Sequence, residues 1–392
     1  MRIILFLFCL AASVVGHSQS LEDSNRLFSW AETNYPQFFS PAGTKNVDYQ
    51  GYLVRFYEDT NIYLATRDGG VYYSRPDKGG GIIYLGSIFL FISEGEEDSS
   101  PKEPLDITNI ILSNRSANCA EYAGEYVSNV ADVNRSLTFE GNTVISVEEQ
   151  SCTFTSNGIP NHDFGEGGSF ATPVSAVENI YTITSRPVAG VSPTSLTLDS
   201  DNAILLNGVK VDLFAAACFG IGDERIGCND INQPWRFDPM SPNNRFGTDI
   251  HNAHTQPNGA YHYHGNPMAL FDFDKAVVSP LVGFAADGFP IYGSYFDDNG
   301  VVRKAESSYQ LKSGARPNGD GDPGGEYDGT YRDDYEFIEG SGDLDQCNGM
   351  IVNGVYGYYV IDKFPYILSC YMGTPNDSFQ KGGQGGGPPP RP

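Results

Sequence analysis

Four of the chain's six histidines fall within fourteen residues, His251 to His264, reading H-N-A-H-T-Q-P-N-G-A-Y-H-Y-H. Imidazole is the commonest metal ligand and titrates nearest neutral pH, so this cluster is where chemistry is to be sought. In an extended strand His262 and His264 project to one side while Tyr261 and Tyr263 project to the other. Two imidazoles at i and i+2 can share a metal. The intervening Gln256-Pro257-Asn258-Gly259-Ala260 is a turn signal, which makes the window a hairpin candidate. A three-residue loop at 257–259 sets His254 opposite His262 and gathers three histidines on one face. A two-residue loop at 258–259 pairs His254 with Tyr263 instead. Three neutral imidazoles with an open position suit a divalent transition metal, zinc or copper among them. The competing reading is a hydrogen-bonded network of histidines and tyrosines that pins loops together.

Carboxylates near the window are Asp249 before it and Asp272 and Asp274 after it. Each can serve as a fourth ligand, a partner that fixes an imidazole tautomer, or a general base. Farther on, Asp287 stands alone among apolar residues and glycines in Gly283-Phe-Ala-Ala-Asp-Gly-Phe-Pro-Ile-Tyr-Gly293. A carboxylate in such surroundings is a candidate base or ligand, and equally a turn residue capping its own backbone. Two acidic glycine-rich stretches, Gly319–Gly325 and Ser341–Gly349, resemble calcium loops. Their spacing departs from the EF-hand pattern, so any calcium coordination there is irregular. The chain has no G-x-S-x-G, H-E-x-x-H, Walker A or dinucleotide-binding pattern, which removes support for serine hydrolase, zincin, kinase and Rossmann readings.

The formal net charge of −25 argues against nucleic acid as a partner, because phosphate binding needs a basic face. Met1-Arg2 followed by the apolar run Ile3–Val15 has the composition of a secretory signal, assigned here to residues 1–18. The run is too short for a comfortable membrane span, and no later stretch is long enough to make one. The chain is therefore expected to be secreted or periplasmic. Beyond the signal remain Cys119, Cys152, Cys218, Cys228, Cys347 and Cys370, an even set that reads as disulfides in an exported chain. Proximity in sequence favours 119–152, 218–228 and 347–370.

With 24 Phe, 24 Tyr, 45 Gly and 24 Pro, the composition favours strands, turns and ordered loops over helical bundles. Residues 24–34 read as a short helix capped near Ser24, with Leu27, Phe28, Trp30 and Ala31 as its apolar set. Three strand-like runs follow at Tyr49–Tyr57, Asn61–Thr66 and Gly70–Ser74, and the tract Lys78–Gly81 leads on into Ile82–Ile92; residues 21–92 read as a small α+β module. Residues 93–105 form an acidic linker. From 106 the strands are short: Ile107–Leu112, Val144–Val147, Ile180–Thr184, Ser195–Leu198 and Ala203–Leu206. The expected fold is β-rich, all-β or α+β, with long ordered loops up to residue 375. The Gly/Pro-rich tail, residues 376–392, is expected to be disordered.

The window Asn252–Gly265 resembles the signature of the YHYH domain family. Further elements of that pattern appear in order: Gly158-Ile-Pro-Asn-His-Asp163, Leu206-Asn-Gly-Val209, Gly283–Gly293, Tyr327-Asp-Gly-Thr-Tyr331 and Gly342-Asp-Leu-Asp-Gln-Cys-Asn-Gly349. The resemblance covers residues 106–375 and implies an exported domain of unestablished activity. It implies asparagine where this chain has His251, which sets that residue apart from His254, His262 and His264. It also promotes His162 as a further metal ligand. The functional expectation is a metal site of His254, His262, His264 and His162, with metal-assisted hydrolysis using Asp287 or Asp249 as base. The alternative is a non-enzymatic surface protein that binds a glycan, calcium, a small molecule or a protein partner.

Overall fold

A computed structural model describes residues 21–34, 38–40, 44–49, 52–67, 70–74, 83–87, 103–272 and 277–381. The expected signal segment, most of the expected linker, Asp274 and the last eleven residues lie outside the described residues. The chain divides into two units, Met1–Lys102 and Glu103–Pro392.

In the first unit, helix α1 (Leu21–Asn34) precedes five antiparallel strands: β1 (Thr44–Tyr49), β2 (Tyr52–Tyr57), β3 (Ile62–Arg67), β4 (Gly70–Ser74) and β5 (Ile83–Ser87). They lie in sequence order. Leu27, Phe28 and Ala31 fall on one helical stripe and bury against Tyr57, Ile62, Leu64 and Val71. Trp30, off that stripe, is only partly buried. Ser24 lies inside the helix rather than capping it, and its hydroxyl meets Thr66 Oγ1 at 2.8 Å. The run Tyr49–Tyr57 is two strands, paired Tyr49 to Tyr52.

The second unit opens with β6 (Leu105–Asp106), β7 (Gly124–Asp132), β8 (Leu137–Glu148), β9 (Ser151–Ser156) and β10 (Asn179–Thr184), a sheet in the order β10-β9-β8-β7-β6. The strand expected at Ile107–Leu112 does not form. Thr108 N donates to Asp106 Oδ1, and Asn109 takes a positive φ of 56°, so the chain turns there. Next come β11 (Thr194–Ser195), β12 (Ala203–Leu205), β13 (Lys210–Val211), β14 (Ala253–Thr255), β15 (Tyr261–Tyr263), β16 (Leu281–Ala285) and β17 (Pro290–Tyr292). The hairpin β18 (Tyr295–Asp298) and β19 (Val301–Lys304) follows, then β20 (Tyr309–Leu311) pairing β21 (Tyr335–Phe337). The last are β22 (Gly349–Val352), β23 (Val355–Tyr359) and β24 (Cys370–Tyr371), the last of which pairs with β11.

The site belongs to an eight-stranded sheet ordered β14-β15-β13-β12-β16-β17-β23-β22. Both larger sheets feed one core, with Val130, Ile145 and Phe154 from the first and Ile204, Val211, Phe284 and Ile291 from the second. Phe154 and Phe284 join them, ring centroids 6.2 Å apart. The expected disulfides all form: Cys119–Cys152, Cys218–Cys228 and Cys347–Cys370. Long loops carry their own polar anchors. Arg236, in the loop between β13 and β14, donates to the carbonyls of Ala215, Cys228 and Asp230.

Order extends past residue 375, where the tail was expected to begin. Phe379 is buried and stacks on Tyr181 at 4.5 Å, and Lys381 N donates to Asp199 O. An aromatic side chain with a core slot to fill outweighs the breaker-rich composition just beyond it.

Candidate metal centre

The hairpin takes the three-residue loop. Thr255 pairs with Tyr261 and His254 with His262, and Gln256 N donates to Ala260 O across the loop. Gly259 makes the turn possible, with φ of 85° and a Cβ position that would lie 2.2 Å from Ser175 Oγ. On the other flank β13 runs parallel to β15, with Lys210 beside His262 and Val211 beside Tyr263. Alternation then sets His254, Gln256, His262, His264, Lys210 and Asp212 on one face, and Ala253, Thr255, Tyr261 and Tyr263 on the other.

On the first face three imidazoles converge through the same atom. His264 Nε2 lies 3.0 Å from His262 Nε2 and 2.9 Å from His254 Nε2. His254 Nδ1 meets Phe246 O at 2.5 Å, and His262 Nδ1 meets Ala260 O at 3.3 Å. A carbonyl only accepts, so both Nδ1 atoms carry the proton and both Nε2 atoms present lone pairs. His264 can bring at most one N–H to the two contacts. His264 Nδ1 points toward the Leu213 backbone without meeting hydrogen-bond geometry. Three inward nitrogens with at most one proton among them are a donor set that fits a cation.

Electrostatics keep these lone pairs available. His262 and His264 are each 3% exposed, and burial drives both well below the usual imidazole range. Neighbouring imidazoles add to this, as do Lys210 at His262 and Lys381 and Arg332 at His264. His254, which retains some exposure, is lowered by burial as well. Neutral imidazoles are the ligating form. Among the described residues, His254, His262 and His264 are the group of three or more His, Cys, Asp or Glu able to hold an ion.

The other expected site residues lie elsewhere. His162 belongs to the opposite face: its Nδ1–H donates to Asp163 O at 2.7 Å and its Nε2 accepts from the Tyr263 hydroxyl at 2.6 Å. Both ring nitrogens are used, and His251 packs on its ring at 4.0 Å. Asp249 is also on that side, accepting from Gly165 N, the Tyr261 hydroxyl, His251 N and Ala253 N. Asp287 sits at the β16–β17 turn, three strands from β15, accepting from the Tyr358 hydroxyl, Gly373 N and Phe289 N. Burial raises its pKa while those donors oppose the rise. In the acidic loops, Asp322 accepts from Trp235 Nε1, and Asp345 from Cys347 N, Gly349 N and the Tyr356 hydroxyl. Asp343 pairs with both terminal nitrogens of Arg303. Four donors converge on Asp249, so Asp249→Ala is expected to destabilise this unit by about 3 kcal/mol, read from urea unfolding. A loss under about 1 kcal/mol would contradict a structural role.

Asp212 is the carboxylate on the histidine face, and sequence reasoning passed over it. Its Oδ2 accepts from Gln256 Nε2 at 2.8 Å and pairs with Lys381 at 2.6 Å, while its buried Oδ1 has no hydrogen-bond partner. Burial raises its pKa, with Lys381 opposing. Lys210 donates to both Asp201 oxygens and to Gln256 Oε1. Beside this network lies a cavity of about 300 Å³ lined by Tyr181, Asp201, Lys210, Gln256 and Lys381, among others. The alternation in Val-Lys-Val-Asp was visible in the sequence, but the parallel pairing of β13 with β15 was not.

Fold and site together define a disulfide-stapled β-rich domain with a three-imidazole centre on a short hairpin. Residues 180–373 match the family model described as YHYH protein, so the larger unit carries a YHYH domain. The match begins after Gly158–Asp163, the segment that delivers His162 to Tyr263. No curated protein and no solved structure matches the chain. No helix among the described residues is long and apolar enough to cross a membrane.

Proposed function

We propose that the larger unit is an exported metal-binding domain in which His254, His262 and His264 hold one divalent first-row ion, zinc or copper. The observation that carries this reading is the convergence of three Nε2 atoms at 2.9 and 3.0 Å, two of them deprotonated by tautomer. Bound there, such an ion supplies Lewis acidity toward a water or a substrate oxygen. Metal-assisted hydrolysis is the reaction class in keeping with that chemistry. The chain's own contribution is then Asp212, whose unpartnered Oδ1 on the histidine face is the carboxylate available to take a proton. It replaces Asp249 and Asp287 in that role, since their oxygens serve the fold. Three disulfides suit an oxidising compartment, in keeping with a secreted or periplasmic location.

Elemental analysis of untagged protein, purified without chelator, tests this reading. About one zinc or copper per chain is expected in the wild type, and close to none in His262→Ala/His264→Ala. Substoichiometric metal in the wild type, or equal content in the variant, overturns the ligand assignment. That outcome would return the histidines to a hydrogen-bonded network in a non-enzymatic binding protein.

A further inference from the structure

One cation whose charge reaches the three-imidazole centre, Arg332, makes no direct ion pair among the described residues. Arg332 opens the short 3₁₀ turn Arg332–Asp334, and its backbone N donates to Arg236 O. The guanidinium carbon lies 4.5 Å from the Phe214 ring centroid and 4.8 Å from that of Phe364. Phe364 is itself backed by Tyr335, stacked at 4.2 Å with a 2° interplanar angle. Aromatic faces fix the orientation of a guanidinium and shield it from water while leaving its N–H edge unspent. Among the described residues that edge has no hydrogen-bond acceptor and no carboxylate within ion-pair distance. Arg332 is half-buried, and the two buried arginines differ from it in being paired: Arg316 donates to Asp334 and Asp328, and Arg236 to three carbonyls. The acid that acts most strongly on Arg332, Asp238, gives its oxygens to Met240 N and the Tyr366 hydroxyl.

The location ties this residue to the histidines. Phe214, which covers the guanidinium, follows Leu213, toward whose backbone His264 Nδ1 points. Lys210 and Lys381, the other cations whose charge reaches the triad, are neutralised by Asp201 and Asp212. We infer that Arg332 receives the oxyanion group of a ligand, a carboxylate or a phosphate, presented to the three-imidazole centre. A planar fork of donors matches either group bidentately. In a chain of net charge −25, a divalent ion and a guanidinium with no direct ion pair make an anionic ligand the one this site would select. The inference rests on the metal reading above.

The test uses the full chain loaded with cobalt(II), whose visible absorption reports changes at a histidine site. Inorganic phosphate and acetate are titrated separately into the wild type, Arg332→Met and Arg332→Lys. At least one anion is expected to shift the wild-type spectrum saturably, and the one that does so identifies the group. Arg332→Met should retain its cobalt and raise the half-saturation concentration about tenfold, with Arg332→Lys in between at about threefold. If the methionine variant loses its near-ultraviolet circular dichroism, the lysine variant, which keeps the charge without the fork, decides by its own expected shift. Cobalt uptake with equal half-saturation in the wild type and a folded variant overturns the Arg332 assignment alone. So does a wild-type spectrum that neither anion moves. Failure of the wild type to take up cobalt overturns the metal reading and this inference with it.

Discussion

Zinc at a thousandfold excess over its dissociation constant is expected to raise the unfolding free energy of the larger unit by about 4 kcal/mol. The linkage follows from the topology. The three inward nitrogens come from β14, β15 and the residue that follows β15, which are neighbours only when the hairpin has formed in the register His254 to His262. An ion held by all three would therefore bind the folded chain alone, and its binding free energy would become folding free energy. Two of the three imidazoles are already set in the ligating tautomer by the Phe246 and Ala260 carbonyls, so little reorganisation opposes binding. Calcium should produce no comparable increment, because a hard cation takes oxygen ligands and the site offers nitrogen. The check is urea unfolding with zinc, with calcium and with chelator, on the wild type and on His262→Ala/His264→Ala. Zinc should stabilise only the wild type. Equal midpoints for wild type in zinc and in chelator would remove the metal from the account of this fold.

Much of that geometry was legible in the sequence, because it depends on local rules. Side-chain alternation sets His262 and His264 together, and the turn signal marks a hairpin but leaves two registers open; the structure takes the one with the 257–259 loop, which adds His254. The disulfide pairing followed nearest neighbours in sequence, as short closed loops allow. What could not be read depends on pairings between distant segments. Strand β13 lies parallel to β15 across a connection of some fifty residues, and only that crossover puts Lys210 and Asp212 on the histidine face. Asp249, two residues before His251, was taken for a site carboxylate on proximity alone. The Asp249–Ala253 turn, with Asn252 at φ of 61°, aims it at Tyr261 instead. Arg332 carries no motif, and its meaning comes from two phenylalanines more than a hundred residues apart. Breaker-rich composition after residue 375 suggested an early end to order, and a single buried aromatic, Phe379, moved it.

A pH effect that a single variant can isolate should come from His162, which the sequence offered as a ligand and the fold uses as a strut. Burial, then the adjacent His251, push its pKa down to about 3 from the ordinary 6.5. In the unfolded chain the same imidazole takes a proton below about pH 6.5, while in the fold it stays neutral. The unfolded state therefore binds the extra proton between about pH 3 and 6.5, and stability falls as pH drops through that window. Above 6.5 the contribution is complete and flat. Each unit costs about 1.4 kcal/mol, so roughly 5 kcal/mol is lost across the window from this residue alone. His162→Gln keeps an oxygen that can accept from Tyr263 and carries no titrating group. The variant should start less stable at pH 7, yet lose stability more slowly on acidification. Its deficit against the wild type should narrow by about 1.4 kcal/mol per pH unit below 6.5. Urea unfolding at pH 7, 6 and 5, with chelator present throughout, isolates the effect from metal release. Parallel curves for the two proteins would mean that His162 is protonated in the fold. Equal zinc uptake by His162→Gln and wild type at pH 7 would complete the case that Tyr263, and not the ion, is the partner of this imidazole.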